Sequence, residues 1–331
     1  MKNWKRILQI ALVPICLVAI ISGAVWVNSI TKSKKEIVVS SEYKYANIVF
    51  NVMENKKLFQ KHLPSGYKVR YVEIAGFANK RDALAARQIH FMSSSRASMI
   101  PAKENGFPLA LVNSGGISGH GIYSRNPNIK TVQDLANSTN EILMRSMGGT
   151  TEMIMKMMAE EKLGNKDAFK GQYRAMGLDY AEMLEIAAVN NSFDAVELMF
   201  PYDLQAVERG FHLVYDLRPL MDANGVISDI LTHVDMVNKN WKVVDAFLKA
   251  QAEAIDIIIN RTDEIIDFLV ELYKIDEKYI RQQIKMYPPF LEVSGYNEAA
   301  DMLLTNGTLK TPATRFEDLF NYDRIPKQSI K

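Results

Sequence analysis

The stretch IHFMSSSRASMIPAKENGFPLALVNSGG, Ile89 to Gly116, carries the reading that decides the fold. It opens as a short apolar strand, breaks at Ser93–Ser95, runs on as a helix through Met99 and Ile100, and returns as the strand FPLALVNSGG. A strand, a helix and a second strand in that order read as one turn of an α/β domain with a largely parallel sheet. Working back toward the N-terminus, FANKRDALAARQ reads as a helix and PSGYKVRYVEIA as a turn followed by an alternating strand with Val69 and Tyr71 on one face. YANIVFNVMENKKLFQKH reads as a single helix, and EIVVSS, Glu36 to Ser41, as a short β-branched strand. Four strands and three helices therefore alternate by Gly116.

A second unit of the same kind follows. TVQDLANS is a helix, NEILMRSM a strand, and TTEMIMKMMAEEKLG a helix. QYRAMG is a strand, DYAEMLEIAAVN a helix, and FDAVELMFPYDLQAVERG a strand, a loop and a helix. FHLVYDL is one more strand, and Ile227 to Val237 reads as a return strand. The remainder is helical. The methionine cluster at Met153, Met155, Met157 and Met158 is soft core packing.

The chain has 331 residues, of which 48% are hydrophobic and 24% charged, enough for two domains. A formal net charge of +2 gives no reason to expect a nucleic-acid surface. Cys16 is the one cysteine, so no disulfide forms within the chain and no cysteine metal cluster is possible. The five histidines stand at scattered positions without the helical spacing of a metal-binding pair, and neither a metal nor a cofactor is expected. Residues 1–30 differ from the rest. A basic start, MKNWKR, precedes the uncharged run Ile7 to Val27, which is about long enough to span a bilayer. The run reads as a signal peptide or as an uncleaved N-terminal anchor, an apolar helix ahead of an extracytoplasmic protein. Cys16 lies within it as a buried apolar residue.

Ligands of parallel α/β sheets bind beyond the carboxyl ends of the strands, where loops feed helix N-termini. Four loops here share a character: SSEYKYA, SSSRAS, MGGTT and MFPYD. They carry hydroxyls, glycines, aromatic rings and an arginine. Gly148 and Gly149 leave room at a helix N-terminus whose partial positive charge and free N–H groups suit an anion. A capped helix after a loop explains the same residues, with Thr150 or Thr151 as the cap. His120 reads as a hydrogen-bonded structural histidine, Arg145 as the partner of an acid, and Glu197 as surface.

These stretches, with ALAARQIHFMSSSRASMIPAKENGFPLALVNSGG, IKTVQDLANSTNEILMRSMGGTTEMIMKMMAEEKLG, FDAVELMFPYDLQAVERG and LTHVDMVNKNWKVVDAFLKAQAEAI in order, resemble the periplasmic substrate-binding proteins of ABC transporters for aliphatic sulfonates, nitrate and taurine. That group also includes binders of thiamine pyrimidine precursors. The resemblance implies a type II, two-lobed periplasmic-binding-protein-like α/β fold with two crossover strands, near His120–Tyr123 and Ile227–Leu231. It implies one lobe from residues 36–122 and 228–331 and a second from 123–227. By position it places Tyr43, Tyr45, Ser94, Ser95, Arg96, Gly148, Gly149, Thr150 and Tyr202 at the ligand. The tryptophans and the Asp that the family often carries just before Pro-Tyr are replaced by Val196, Met199 and Phe200, and Glu197 is unusual there.

The function this implies is a monomeric receptor that hands a small solute to an ABC permease and its ATPase, outside the cytoplasm. The expected solute is an oxyanion such as an organosulfonate or nitrate, with Arg96 as its charge partner. The alternatives are a pyrimidine- or amine-bearing solute held by Glu197, or a membrane-anchored sensor domain. Enzymes of similar fold that make the thiamine pyrimidine use a cysteine-rich motif and a sacrificial histidine. With Cys16 in the leader, that chemistry is not expected.

Overall fold

A computed structural model describes residues 35–41, 47–74, 76–116, 120–145, 150–223, 228–289 and 291–326. Residues 1–30, expected as a signal peptide or anchor, lie outside those residues. Among the described residues no helix is long and apolar enough to cross a membrane.

The alternation read from the sequence forms two five-stranded sheets. The first holds β1 (Lys35–Ser41), β2 (Tyr67–Glu73), β3 (Phe91–Ser95), β4 (Leu109–Gly116) and the late strand β10 (Ser228–His233), in the order β2-β1-β3-β10-β4. β1 runs parallel to β2 and β3. Between β3 and β4 lies β10, antiparallel to both. The second sheet holds β5 (His120–Ser124), β6 (Glu141–Met144), β7 (Tyr173–Ala175), β8 (Phe193–Met199) and β9 (His212–Asp216), in the order β7-β6-β8-β5-β9. β6 is parallel to β7 and β8, while β5 is antiparallel to β8 and β9.

The chain passes from the first sheet to the second between β4 and β5, and back before β10. Each passage thus delivers an antiparallel strand to its new sheet, and the fold is the two-sheet, two-crossover α/β architecture. All of β5 pairs within the second sheet, so a lobe boundary at 122/123 falls inside that strand. The glycine-rich sequence around the first passage has a packing reason. A Cβ on Gly115 would lie 2.7 Å from Ser228 Oγ, and one on Gly121 would lie 2.7 Å from the Tyr123 ring and 2.9 Å from Leu213.

Helices cover both sheets. On the first lie α1 (Ile48–Asn55), α2 (Leu58–His62), α3 (Phe77–Ala85) and α4 (Arg96–Glu104). The single helix expected over Tyr45–His62 is broken, because Lys57 adopts a left-handed conformation at φ 52. The break re-aims Leu58 and Phe59 into the core, where both are buried. The second sheet carries α5 (Val132–Ala136), α6 (Thr150–Leu163), α7 (Tyr180–Val189), α8 (Tyr202–Glu208) and α9 (Arg218–Ala223).

The helical remainder is α10 (Val234–Lys239), α11 (Trp241–Asn260), α12 (Ile266–Tyr273), α13 (Glu277–Ile284) and α14 (Tyr296–Thr305), and it returns to the first lobe. The return strand is shorter than the expected Ile227–Val237. The His233 ring accepts from the backbone N–H of Asp235 at 3.0 Å, which caps α10 and ends the strand. In α11, Phe247 stacks on Phe91 at 4.4 Å and meets Phe59 and Phe50 edge-on at 5.2 and 5.9 Å. This aromatic knot ties α11 and α1 to the middle of the first sheet.

Candidate functional site

The parallel strands of both sheets end where loops feed helix N-termini, and SSSRAS, MFPYD and Thr150 sit there. On the first lobe, β3 ends in Ser93–Ser95. Lys80, buried in α3, donates to the Ser93 carbonyl at 2.5 Å and fixes the loop from beneath. Ser94 is buried, at 4% exposure. Ser95 Oγ donates to Ser98 Oγ at 2.9 Å and lies 2.9 Å from Thr150 Oγ1, the first residue of α6 on the other lobe. With Ser95's one proton given to Ser98, Thr150 is the donor in the inter-lobe bond. The second and third loops thus meet directly through these two hydroxyls. The lobes also touch where Gln205 Nε2 donates to the Tyr273 carbonyl at 3.0 Å and where Phe200 meets the Tyr273 ring edge-on at 4.9 Å.

Arg96 has an occupation different from the one expected. Its Nε and Nη2 donate to the two carboxylate oxygens of Asp229 at 2.9 and 2.7 Å, and Nη1 donates to the Ser294 carbonyl. Both side chains are fully buried. The guanidinium is a fork-on-fork tie between the start of α4 and β10, and its charge is spent on Asp229. This arrangement does not offer Arg96 as the counter-charge of a ligand. Burial pushes the Asp229 carboxyl up against the pull of Arg96. Tyr43, Tyr45, Gly148 and Gly149 lie outside the described residues.

On the second lobe the cleft ends of β5, β6 and β8 gather a polar cluster. Glu197, expected at the surface, is 1% exposed. Every residue of β8 from Asp194 to Met199 is buried, with Ala195 in one apolar cluster and Val196 and Leu198 in another, so the strand is covered on both faces. Tyr180, the first residue of α7, donates to Glu197 Oε1 at 3.0 Å. His120 Nε2 lies 3.3 Å from the same oxygen and 3.2 Å from the Tyr180 hydroxyl. The other ring nitrogen of His120 is 3.4 Å from Met221 Sδ. Glu197 Oε2 is buried without a hydrogen-bond partner.

Desolvation pushes the Glu197 carboxyl up to about 7, although Tyr180 and Arg145 pull it down. Desolvation also pushes His120 down to about 4, so its ring is neutral at physiological pH. Arg145 lies over the Tyr180 ring at 5.8 Å, and Tyr202 stacks on its neighbour Tyr180 at 6.4 Å. Beside them Asp203 is pushed up to about 6 by burial.

Tyr180 was not among the expected site residues. It follows MGLD after β7, at the same end of the second sheet as MFPYD after β8, since both strands run parallel to β6. The capping box between Asp179 and Glu182 is the sequence signal that a helix, and hence a cleft-end position, begins there. No cluster of three His, Cys, Asp or Glu side chains suited to a metal ion occurs among the described residues.

A family model described as NMT1/THI5-like matches residues 54–265. No curated relative matches the chain in sequence. Among solved structures, the ligand-binding component of an ABC-type import system from Staphylococcus aureus, with zinc bound, aligns with a TM-score of 0.68 at 14% identity. It covers 88% of this chain and 96% of that one. The periplasmic aliphatic sulphonate binding protein SsuA from Escherichia coli aligns with a TM-score of 0.67 at 18% identity, over 90% and 94% of the two chains. The periplasmic nitrate-binding protein NrtA from Synechocystis PCC 6803 aligns with a TM-score of 0.57 at 18% identity, over 76% and 70%. All three share the fold.

Proposed function

The chain belongs to the NMT1/THI5-like family, and from that membership we propose that it is the extracytoplasmic solute-binding receptor of an ABC importer. In this reading it is a binding protein and not an enzyme. Its two lobes close over a small solute, and a membrane permease with its ATPase accepts the solute from the closed form. The observation that carries the reading is the Ser95–Thr150 hydrogen bond. It brings together two loops, one from each lobe, that an inter-lobe ligand site needs at its mouth.

For the solute, the N-terminal end of α6 supports an oxyanion such as an organosulfonate or nitrate. Thr150, Ser95 and the Gly148–Gly149 turn would supply O–H and N–H donors, and Tyr202 an aromatic wall. The second reading, an amine- or pyrimidine-bearing solute, is favoured by two observations. Arg96 is neutralised by Asp229, and a carboxylate with an unsatisfied oxygen stands at the cleft end of β8.

A thermal-shift screen of sulfonates, nitrate, amines and pyrimidines tests both readings, followed by calorimetry on Gly149→Leu and Ser95→Ala. If an oxyanion sits at α6, losing one charge-assisted hydrogen bond there costs about 1.5–3 kcal/mol, roughly ten- to a hundredfold in affinity. Unchanged affinity in both folded variants removes these residues from the site. Failure of every solute class to raise the melting temperature removes the receptor reading.

A further inference from the structure

We propose that Glu197 is the specificity-determining residue of the second lobe, its Oε2 accepting an N–H from a cationic or amino-bearing solute. The inference rests on the receptor reading and sharpens it to one atom. Glu197 stands two residues before the end of β8, where that strand gives way to Phe200, Pro201 and Tyr202. Strand alternation sets it on the face of Ala195, which packs with Ile154 and Met155 of α6. The carboxylate therefore lies at the cleft end of the sheet, on the face that α6 covers.

The two carboxylate oxygens of Glu197 differ in their partners. Oε1 receives the Tyr180 hydroxyl at 3.0 Å and faces His120 Nε2 at 3.3 Å. Oε2 is enclosed and has no donor. The ionisable side chains around the carboxyl are His120 from β5, Tyr180 from α7 and Arg145 just beyond β6, with Tyr202 of α8 stacked behind Tyr180. His120 is neutral, and Arg145 acts on the carboxyl both through its charge and through its backbone N–H, while Oε2 keeps no hydrogen-bond partner. An enclosed carboxylate oxygen without a donor is costly, and a proton held on the carboxyl relieves that cost. A solute N–H reaching Oε2 replaces that proton with a charge-assisted hydrogen bond. The stacked Tyr180 and Tyr202 rings beside it give a cation or a planar amine an aromatic wall. A solute that offers only oxygen acceptors at this point gives Oε2 no donor.

The test uses the full chain purified without added solute. Native mass spectrometry gives the mass and formula of any retained solute. Melting-temperature titrations then compare 4-aminopyridine with pyridine and propylamine with propanol. The expected result is a retained solute with at least one N–H, and preference for the amino member of each pair by about tenfold or more. The preference should vanish in Glu197→Gln. Amine affinity in the wild type should rise from about pH 6 to about pH 8, because the amines stay cationic while the carboxyl loses its proton.

That pH dependence also decides the matter should Glu197→Gln not fold. A retained solute without N–H, equal binding within both pairs, or pH-independent amine binding overturns the inference and leaves the receptor reading standing. A chain that retains nothing and responds to none of these four probes overturns the inference alone; the receptor reading falls only if sulfonates and nitrate also fail to raise the melting temperature.

Discussion

Arg96 and Asp229 are the sharpest single-residue dependence in the molecule. Both are fully buried and mutually paired, so removing one partner leaves an uncompensated charge in the core. Arg96→Ala is expected to destabilise the protein by about 3–5 kcal/mol in urea unfolding, whatever the solute. The double replacement Arg96→Met with Asp229→Leu should recover most of that loss, since a packed apolar pair removes the buried charges altogether. A loss of binding in Arg96→Ala alone would therefore say nothing about the ligand.

The Glu197–His120 pair makes the solute-free protein pH-sensitive in two opposed ways. Glu197 is raised from 4.5 to about 7, so the folded state holds a proton that the unfolded chain has shed. That contribution is full at low pH and is lost as pH rises through about 7. His120 is lowered from 6.5 to about 4, so its contribution is present above 6.5 and is lost as pH falls through about 4. Above about pH 6.5 the His120 contribution is constant, and of the two only Glu197 still titrates. Between there and about pH 8, wild-type stability should fall by on the order of 1 kcal/mol relative to Glu197→Gln. Equal slopes for the two proteins would show that the carboxyl is already ionised in the fold. The burial of Glu197 was legible in principle: FDAVELM sits where an inner strand is covered on both faces, which leaves a charged residue no surface to occupy. The partners of Arg96 were not legible, because Asp229 is 133 residues away in sequence.

At the scale of elements, α11 organises the first lobe. Phe247 is fully buried against Phe91, Phe59 and Phe50, so Phe247→Ala removes one ring from a knot of four. We expect a loss of about 3–5 kcal/mol in denaturant unfolding, with little change in solute affinity for the protein that remains folded. A loss under about 1 kcal/mol would mean that the knot collapses around the gap. Most elements follow from apolar periodicity, because each strand and helix has a face to bury. The breaks do not. The left-handed Lys57 and the early end of β10 at His233 are set by where Leu58, Phe59 and the α10 cap must sit, and those are tertiary demands.

At the scale of the whole molecule, the alternation of strands and helices was enough for an α/β reading. The pairing of two sheets through two passages came from the order of the loops matched against a family pattern. The contact between Ser95 and Thr150 joins loops read separately, and no periodicity links them. The N-terminal reading, residues 1–30, stands apart from everything the fold describes.

The position of β10 has a consequence for how the protein comes into being. The five strands of the second sheet all lie within residues 120–216, one unbroken length of chain. The first sheet has a gap between its third and last strands until Ser228–His233 arrives, because β3 and β4 are joined only through β10. As the chain emerges from a ribosome or a translocation channel, the half made first must wait for the half made second. Residues 35–116 remain for that interval an incomplete sheet with two unpaired inner edges, a form suited to threading through a pore and exposed to aggregation. An excised segment covering residues 120–223 should therefore gain protected amide hydrogens on its own, whereas one covering residues 35–116 should gain them only when a segment carrying residues 228–326 is supplied in trans.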